Sequence, residues 1–179
     1  MNKRAGQIGI AWLLTAAAVA AACAVQAQTL EYPIKAQFLY KFTPFIEWPP
    51  GAFDQPASPV VLCVVGRDPF GGALDRAITG RRMGPRPFVV LRLARIEPSS
   101  GCHLAYISGG EDQPPDTAVQ TLRGSPVVTV TDEAASPGAR GMIHFVIRNQ
   151  RVRFIIDAGA AGRAGLKVSS KLLALGAAQ

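Results

Sequence analysis

The chain has 179 residues, 49% of them hydrophobic and 17% charged, with a net charge of +7 at neutral pH. That length suits one domain able to bury its own core. Arginines such as Arg81, Arg82, Arg86, Arg92, Arg95, Arg148, Arg151 and Arg153 are spread along the chain without aromatic interleaving or a nucleic-acid-binding motif, so the basic excess reads as a solvated face and no nucleic-acid partner is expected.

Lys3 and Arg4 precede the apolar run IGIAWLLTAAAVAAACAV, and Val25-Gln26-Ala27 follow as a small-residue cleavage pattern. This is the three-part form of a secretory signal, residues 1–27, cleaved near Ala27. An uncleaved anchor is the rival reading, but the run is mostly alanine. Cys23 follows Ala20-Ala21-Ala22, without the larger aliphatic residue of a lipoprotein site. Residues 28–179 are therefore expected outside the cytosol as one domain.

After the signal, EYPIKAQFLYKFTPFIEW puts Ile34, Phe38, Phe42 and Phe45 on one stripe at helical spacing, with Leu39 and Ile46 beside it. Pro44 removes a backbone donor, which predicts a kink near Tyr40, and Trp48-Pro49-Pro50 ends the helix. PVVLCVVG (59–66) is a continuous β-branched run, the pattern of a strand covered on both faces. GRDPFGGALDRAI continues it as a helix, with Asp68 as cap, Pro69 in the first turn and Phe70, Leu74 and Ile78 inward. TGRRMGPRP reads as an exposed basic turn, FVVLRLARI and CHLAYIS as two further strands. A short helix follows, with Val119 and Leu122 inward and Gly124 as its stop, then the buried strand PVVTVTD. MIHFVI and RVRFIID alternate as a hairpin. AGAAGRAGLKVSSKLLALG closes the chain in helical turns that Asp157 caps, with Leu172, Leu173 and Leu175 packing down. Strand and helix alternation predicts an α/β fold: a single-domain mixed sheet flanked by helices, of the three-layer α/β/α type.

Two cysteines remain after the signal, Cys63 and Cys102, on separate predicted strands. In an oxidising compartment an even count is first read as a bridge. Such a bridge contributes roughly 4 kcal/mol in the chain-entropy model. Cys102 beside His103 does not make a catalytic dyad, because neighbours on a strand point to opposite faces. His103 and His144 sit singly among apolar residues, no metal-ligand spacing occurs, no GxSxG elbow is present, and GRDPFGG lacks the Lys-Ser/Thr ending of a phosphate-cradling loop. The expectation is a non-enzyme without metal or cofactor. Exposed aromatic and basic groups, Tyr40, Trp48, Phe70 and Arg153, are the candidate partner-binding residues.

The stretches IKAQFLYKFTPFIEWP, PVVLCVVGRDPFG, CHLAYIS, PVVTVTD, GMIHFVIRNQRVRFIID and AGLKVSSKLL, taken in this order over residues 31 to 175, resemble the YfiR family of periplasmic proteins. The resemblance implies an α/β domain that binds the periplasmic part of a membrane diguanylate cyclase (YfiN in the founding system) and lowers cyclic di-GMP, whose rise favours biofilm. It also implies an OmpA-like outer-membrane lipoprotein partner (YfiB), a homodimer and release sensitive to redox state. Cys63 and Cys102 match the family's cysteine-bearing strands. A second, local cysteine pair of some relatives is missing, since residues 134–151 contain none. The rival readings are a periplasmic small-molecule carrier or sensor, with its pocket at the strand ends near Phe70 and the basic turn, and a redox enzyme using Cys63 and Cys102. The 39-residue separation is unlike an exchange-active pair.

Overall fold

The computed structural model describes residues 30–176, so the expected signal segment lies outside the described residues. Helix α1 occupies residues 30–42 and passes into a 3-10 turn, Thr43–Phe45. Its buried face is Lys35, Ala36, Leu39 and Phe42, one step round from the expected stripe, and Ile34 is 44% exposed. Pro44 acts at the helix end: it cannot donate to the carbonyl of Tyr40, and the Thr43 hydroxyl does so instead at 2.8 Å. The expected kink is thus replaced by a change from α to 3-10 geometry. The short strand β1 (Ile46–Glu47) then pairs with β9 (Lys167–Val168), tying the end of α1 to the C-terminal segment.

The main sheet contains β2 (Val60–Val65), β3 (Arg82–Met83), β4 (Arg86–Leu93), β5 (Leu104–Ile107), β6 (Val128–Asp132), β7 (Ile143–Arg148) and β8 (Arg151–Ile156). Its order is β3-β4-β2-β5-β6-β7-β8. Strands β4, β2, β5, β6 and β7 are parallel, whereas β3 and β8 are antiparallel edges. The parallel strands follow the doubly wound 2-1-3-4-5 order. In β2, β5 and β6 the unbroken apolar runs are explained by burial on both sides, whereas β4 exposes Val89 and Leu91 on one face.

Helices α2 (Gly72–Ile78), α3 (Pro115–Thr121), α4 (Ala158–Arg163) and α5 (Ser170–Leu175) complete the fold. Helix α2 starts later than expected. Asp68 does not cap it but folds the preceding turn, accepting from the backbone N–H of Phe70 at 2.7 Å and of Gly71 at 3.2 Å. Asp157 does cap α4, accepting from Ala160 N at 2.8 Å. On the first sheet face α1, α2, α4 and α5 enclose the larger core, with Leu62, Val64, Leu104, Tyr106, Val130, Ile143, Phe145 and Phe154. On the second face α3 covers a smaller core built around Cys63, Val65, Ile96, Cys102, Ile107 and Leu122. Each fully buried Leu, Val, Ile or Phe in these cores contributes roughly 1.5–3 kcal/mol. The architecture is the expected α/β/α arrangement with unequal helical layers.

The β7–β8 hairpin pairs Phe145 with Phe154 and Ile147 with Val152, turning through Asn149 and Gln150 alone. Both turn residues have positive φ, 50° and 58°. That is the turn geometry whose twist matches a hairpin and which glycine, not glutamine, ordinarily takes at the second position.

Candidate functional site

On the first face a groove of about 640 Å³ opens between α1, the basic turn before β4, β8 and α5. Its floor is aromatic, because Phe42 meets Phe154 at 4.9 Å between ring centroids and Phe38 meets the same ring at 5.6 Å. Tyr40 stands half-buried at the wall, edge-on to Phe88 at 6.0 Å. The Arg81 guanidinium lies 5.7 Å and the Lys41 ammonium 6.0 Å from the centroid of its ring. Arg82 completes a positive rim. Lys41, Arg81 and Arg82 form no ion pair among the described residues, so an apolar floor is bordered by three uncompensated cations. Leu175, expected to pack down, is 63% exposed at the mouth of the groove, and Leu173 is 40% exposed; only Leu172 of that trio is buried.

A buried ionic cluster holds the α1 wall in place. Lys35 is 2% and Asp132 0% exposed, and their Nζ and Oδ2 are 2.6 Å apart. Glu31, one turn earlier on α1, pairs with the same ammonium. Asp132 Oδ2 also accepts from the Tyr106 hydroxyl at 2.7 Å, and Oδ1 accepts from Ala134 N at 2.7 Å and Ala135 N at 2.8 Å. Burial raises the carboxyl's pKa, but the hydrogen bonds from Lys35, Ala135 and Tyr106 outweigh it and hold Asp132 below the ordinary carboxylate value. Burial, then the Asp132 charge, keeps the Tyr106 phenol protonated far above its usual range and moves Tyr32 to about 12. Lys35 and Asp132 carried no functional signal in the sequence.

Of the four residues singled out from sequence, the groove takes in Tyr40 and borders Arg153. Arg153 pairs with Val146 while Phe154 pairs with Phe145, so alternation sends its side chain to the second face. Trp48 lies elsewhere, edge-on to Phe53 at 5.8 Å and to His103 at 6.3 Å. Phe70 is not a surface residue: it is 5% exposed and packs edge-on against Tyr106 at 4.6 Å, because the Asp68 turn folds it inward. Lys41 and Phe45 were missed as groove residues, and Arg81 and Arg82 were legible only as an exposed turn.

Cys63 and Cys102 form a disulfide, with their Cα atoms 5.8 Å apart. Cys63 lies in β2, and Cys102 precedes the adjacent strand β5 by two residues. The bond is buried in the second-face core, Cys63 at 0% and Cys102 at 7% exposure. Among the described residues no group of three or more His, Cys, Asp or Glu side chains could hold a metal ion, and no helix is long and apolar enough to cross a membrane. The model of the YfiR/HmsC-like family matches residues 32–177, and no curated protein matches the chain. The chain belongs to the YfiR/HmsC-like family. At the level of the family this places it among periplasmic regulators of membrane diguanylate cyclases, a regulatory and non-catalytic group.

Family membership fits what has become of the ligand crevice of the doubly wound sheet. In such sheets ligands bind where the strand order reverses, outside the carboxyl ends of the first and third strands, here β2 and β5. The two loops at that point are bound to each other: Arg67 N and Nε donate to Gly109 O at 3.2 and 3.0 Å, and the Ser108 hydroxyl donates to Val65 O at 3.2 Å. A Cβ on Gly66 would lie 2.6 Å from Ser108 O. Beside these bridged loops a pocket of about 520 Å³ remains, lined by Gly66, Arg67, Ala94, Gly109, Glu111 and Asp112, so the bridge narrows the strand-end crevice without filling it.

The two histidines of this YfiR-like domain are held neutral. His103 Nδ1 accepts from Val61 N at 3.1 Å, so the proton sits on Nε2, which lies 2.9 Å from Ala52 O. Burial, reinforced by Arg86, lowers its pKa against the Ala52 bond; burial and then Arg140 lower that of His144. A folded-state pKa below the unfolded 6.5 means stability is fully present above pH 6.5 and lost as pH falls toward the folded value. Calorimetry should therefore show a melting temperature that declines from pH 7 to pH 5, less steeply for His103→Gln. A flat profile in the parent protein would contradict the neutral assignment.

Proposed function

We propose that this protein grips the periplasmic segment of a membrane diguanylate cyclase in the aromatic groove and thereby lowers cyclic di-GMP synthesis. The observation that carries the reading is the apolar floor bordered by three cations without carboxylate partners. It suits a partner segment with an apolar anchor flanked by acidic residues, since aromatic pockets supply affinity and rim charge supplies recognition and on-rate. Tyr40, Lys41, Arg81 and Arg82 carry the contact in this reading, while Phe70 supports α1 from within through Tyr32, and Trp48 and the Arg153 side chain lie outside the contact. An OmpA-like lipoprotein competing for the groove would release the cyclase, and a homodimer is compatible if it leaves the groove open.

Calorimetric titration with the periplasmic domain of the cognate cyclase tests this. Tyr40→Ala should weaken binding roughly thirtyfold, the scale of a hot-spot truncation. Arg81→Glu/Arg82→Glu should slow association and remove most of its salt dependence. The matched reversal Arg123→Glu/Arg140→Glu, on the second face, should leave affinity unchanged. Equal losses from both pairs would overturn the assignment of the groove.

A further inference from the structure

The second sheet face is only partly covered by α3. Over β6, β7 and β8 it opens into a trough of about 930 Å³ between α3 and α4, within the range of small-molecule sites. Arg123, Arg140, Arg148 and Arg163 all line it. Two of these charges are loosely offset, Arg148 by Glu133 at 3.9 Å and Arg163 by Asp157 at 4.0 Å. Arg123 and Arg140 have no carboxylate partner among the described residues.

His144, 4% exposed, also lines the trough. Its Nδ1 lies 2.8 Å from the Thr131 hydroxyl, whose oxygen already accepts from Gly141 N at 2.9 Å. With Thr131 donating to Nδ1, the imidazole proton resides on Nε2, and that buried nitrogen has no hydrogen-bond partner. An unpaired buried donor is costly, and a ligand acceptor would satisfy it. Leu122, Met142 and Ile155 add apolar wall.

We propose that this trough binds a small organic phosphate, a phosphomonoester on an apolar body. Two uncompensated guanidinium groups match the near-dianionic charge of a phosphomonoester at neutral pH. The apolar wall takes the body, and His144 Nε2–H supplies a neutral donor. The same headgroup chemistry occurs in soluble metabolites and in phosphatidate lipid.

The test is titration of the full folded domain with phenyl phosphate, followed by calorimetry and by the imidazole NMR signals of His144. Saturable binding with a shifted His144 Nε2–H signal is expected, and inorganic phosphate should bind more weakly. Arg123→Gln/Arg140→Gln should weaken binding roughly tenfold per arginine, whereas Arg81→Gln/Arg82→Gln, an equal loss of charge elsewhere, should not. Saturable binding only to phosphatidate-containing vesicles, abolished by the same Arg123/Arg140 pair, would support the site with a lipid source. Absence of binding in both arms, equal weakening by the two arginine pairs, or an unmoved His144 signal would overturn the proposal.

Discussion

Asp132→Asn should destabilise the domain by roughly 3–5 kcal/mol, the scale for breaking a buried ion pair by removing one partner. The reason lies in the identity of its four partners: Lys35 Nζ, the Tyr106 hydroxyl and the N–H groups of Ala134 and Ala135 are all donors. A carboxylate accepts from all of them. An amide cannot, because either orientation sets its NH2 against two of these donors, and in both Glu31 is left as the one carboxylate beside the buried Lys35 ammonium. Lys35→Met should also be destabilising, since it strands a buried carboxylate. The double variant should be less destabilised than the two changes added, by on the order of 1–3 kcal/mol. Glu31, 21% exposed, should matter far less, Glu31→Gln costing about 1 kcal/mol or less. The acid limb gives a second readout. Because the folded pKa of Asp132 is depressed, its contribution is present above the unfolded value near 4 and is lost as pH falls through the folded value, so Asp132→Asn should flatten the melting curve below about pH 4. Urea unfolding that places Asp132→Asn within about 1 kcal/mol of the parent would show that the cluster does not anchor α1.

That cluster marks the limit of what the sequence disclosed. The strands were legible because their pattern is local: VVLCVV has no solvent face, and β8 alternates because it is the edge strand of the sheet. The partnership of Cys63 and Cys102 was legible from count, as only two cysteines follow the expected signal segment. Lys35 was not, because a lysine at helical spacing reads as a solvent-facing residue, and the carboxylate that makes its burial tolerable lies 97 residues away. Phe70 carried conflicting signals. It reads both as part of an inward stripe with Leu74 and Ile78 and as an exposed partner-binding group, and two backbone N–H bonds to Asp68 turn it inward. The groove is assembled from α1, the basic turn, β8 and α5, so Tyr40 and Arg81 carried separate signals and only the fold brings them within 5.7 Å. In α5 a short leucine-rich turn cannot declare which side faces in, and burial of Leu172 decided it.

Reduction of the Cys63–Cys102 bond should lower stability by roughly 4 kcal/mol, the chain-entropy value for its loop, and the melting temperature by on the order of 10 °C. Cys63→Ala/Cys102→Ala should reproduce the reduced protein, and with both sulfurs buried the native protein should resist mild thiols until it opens. The position of the bond also constrains any redox control of the cyclase. The disulfide lies in the core under α3, whereas the groove lies across the sheet against α1 and α5. Reduction therefore has no direct path to Tyr40, Arg81 or Arg82, and release on reduction would act through the folded population. The thiol-free variant should bind the cyclase segment with parental affinity well below its own melting temperature and lose binding between that temperature and the parent's. If affinity is instead lost in the cold, while circular dichroism and urea unfolding report an intact domain, the bond shapes the groove itself and the two faces are coupled through β2 and β5.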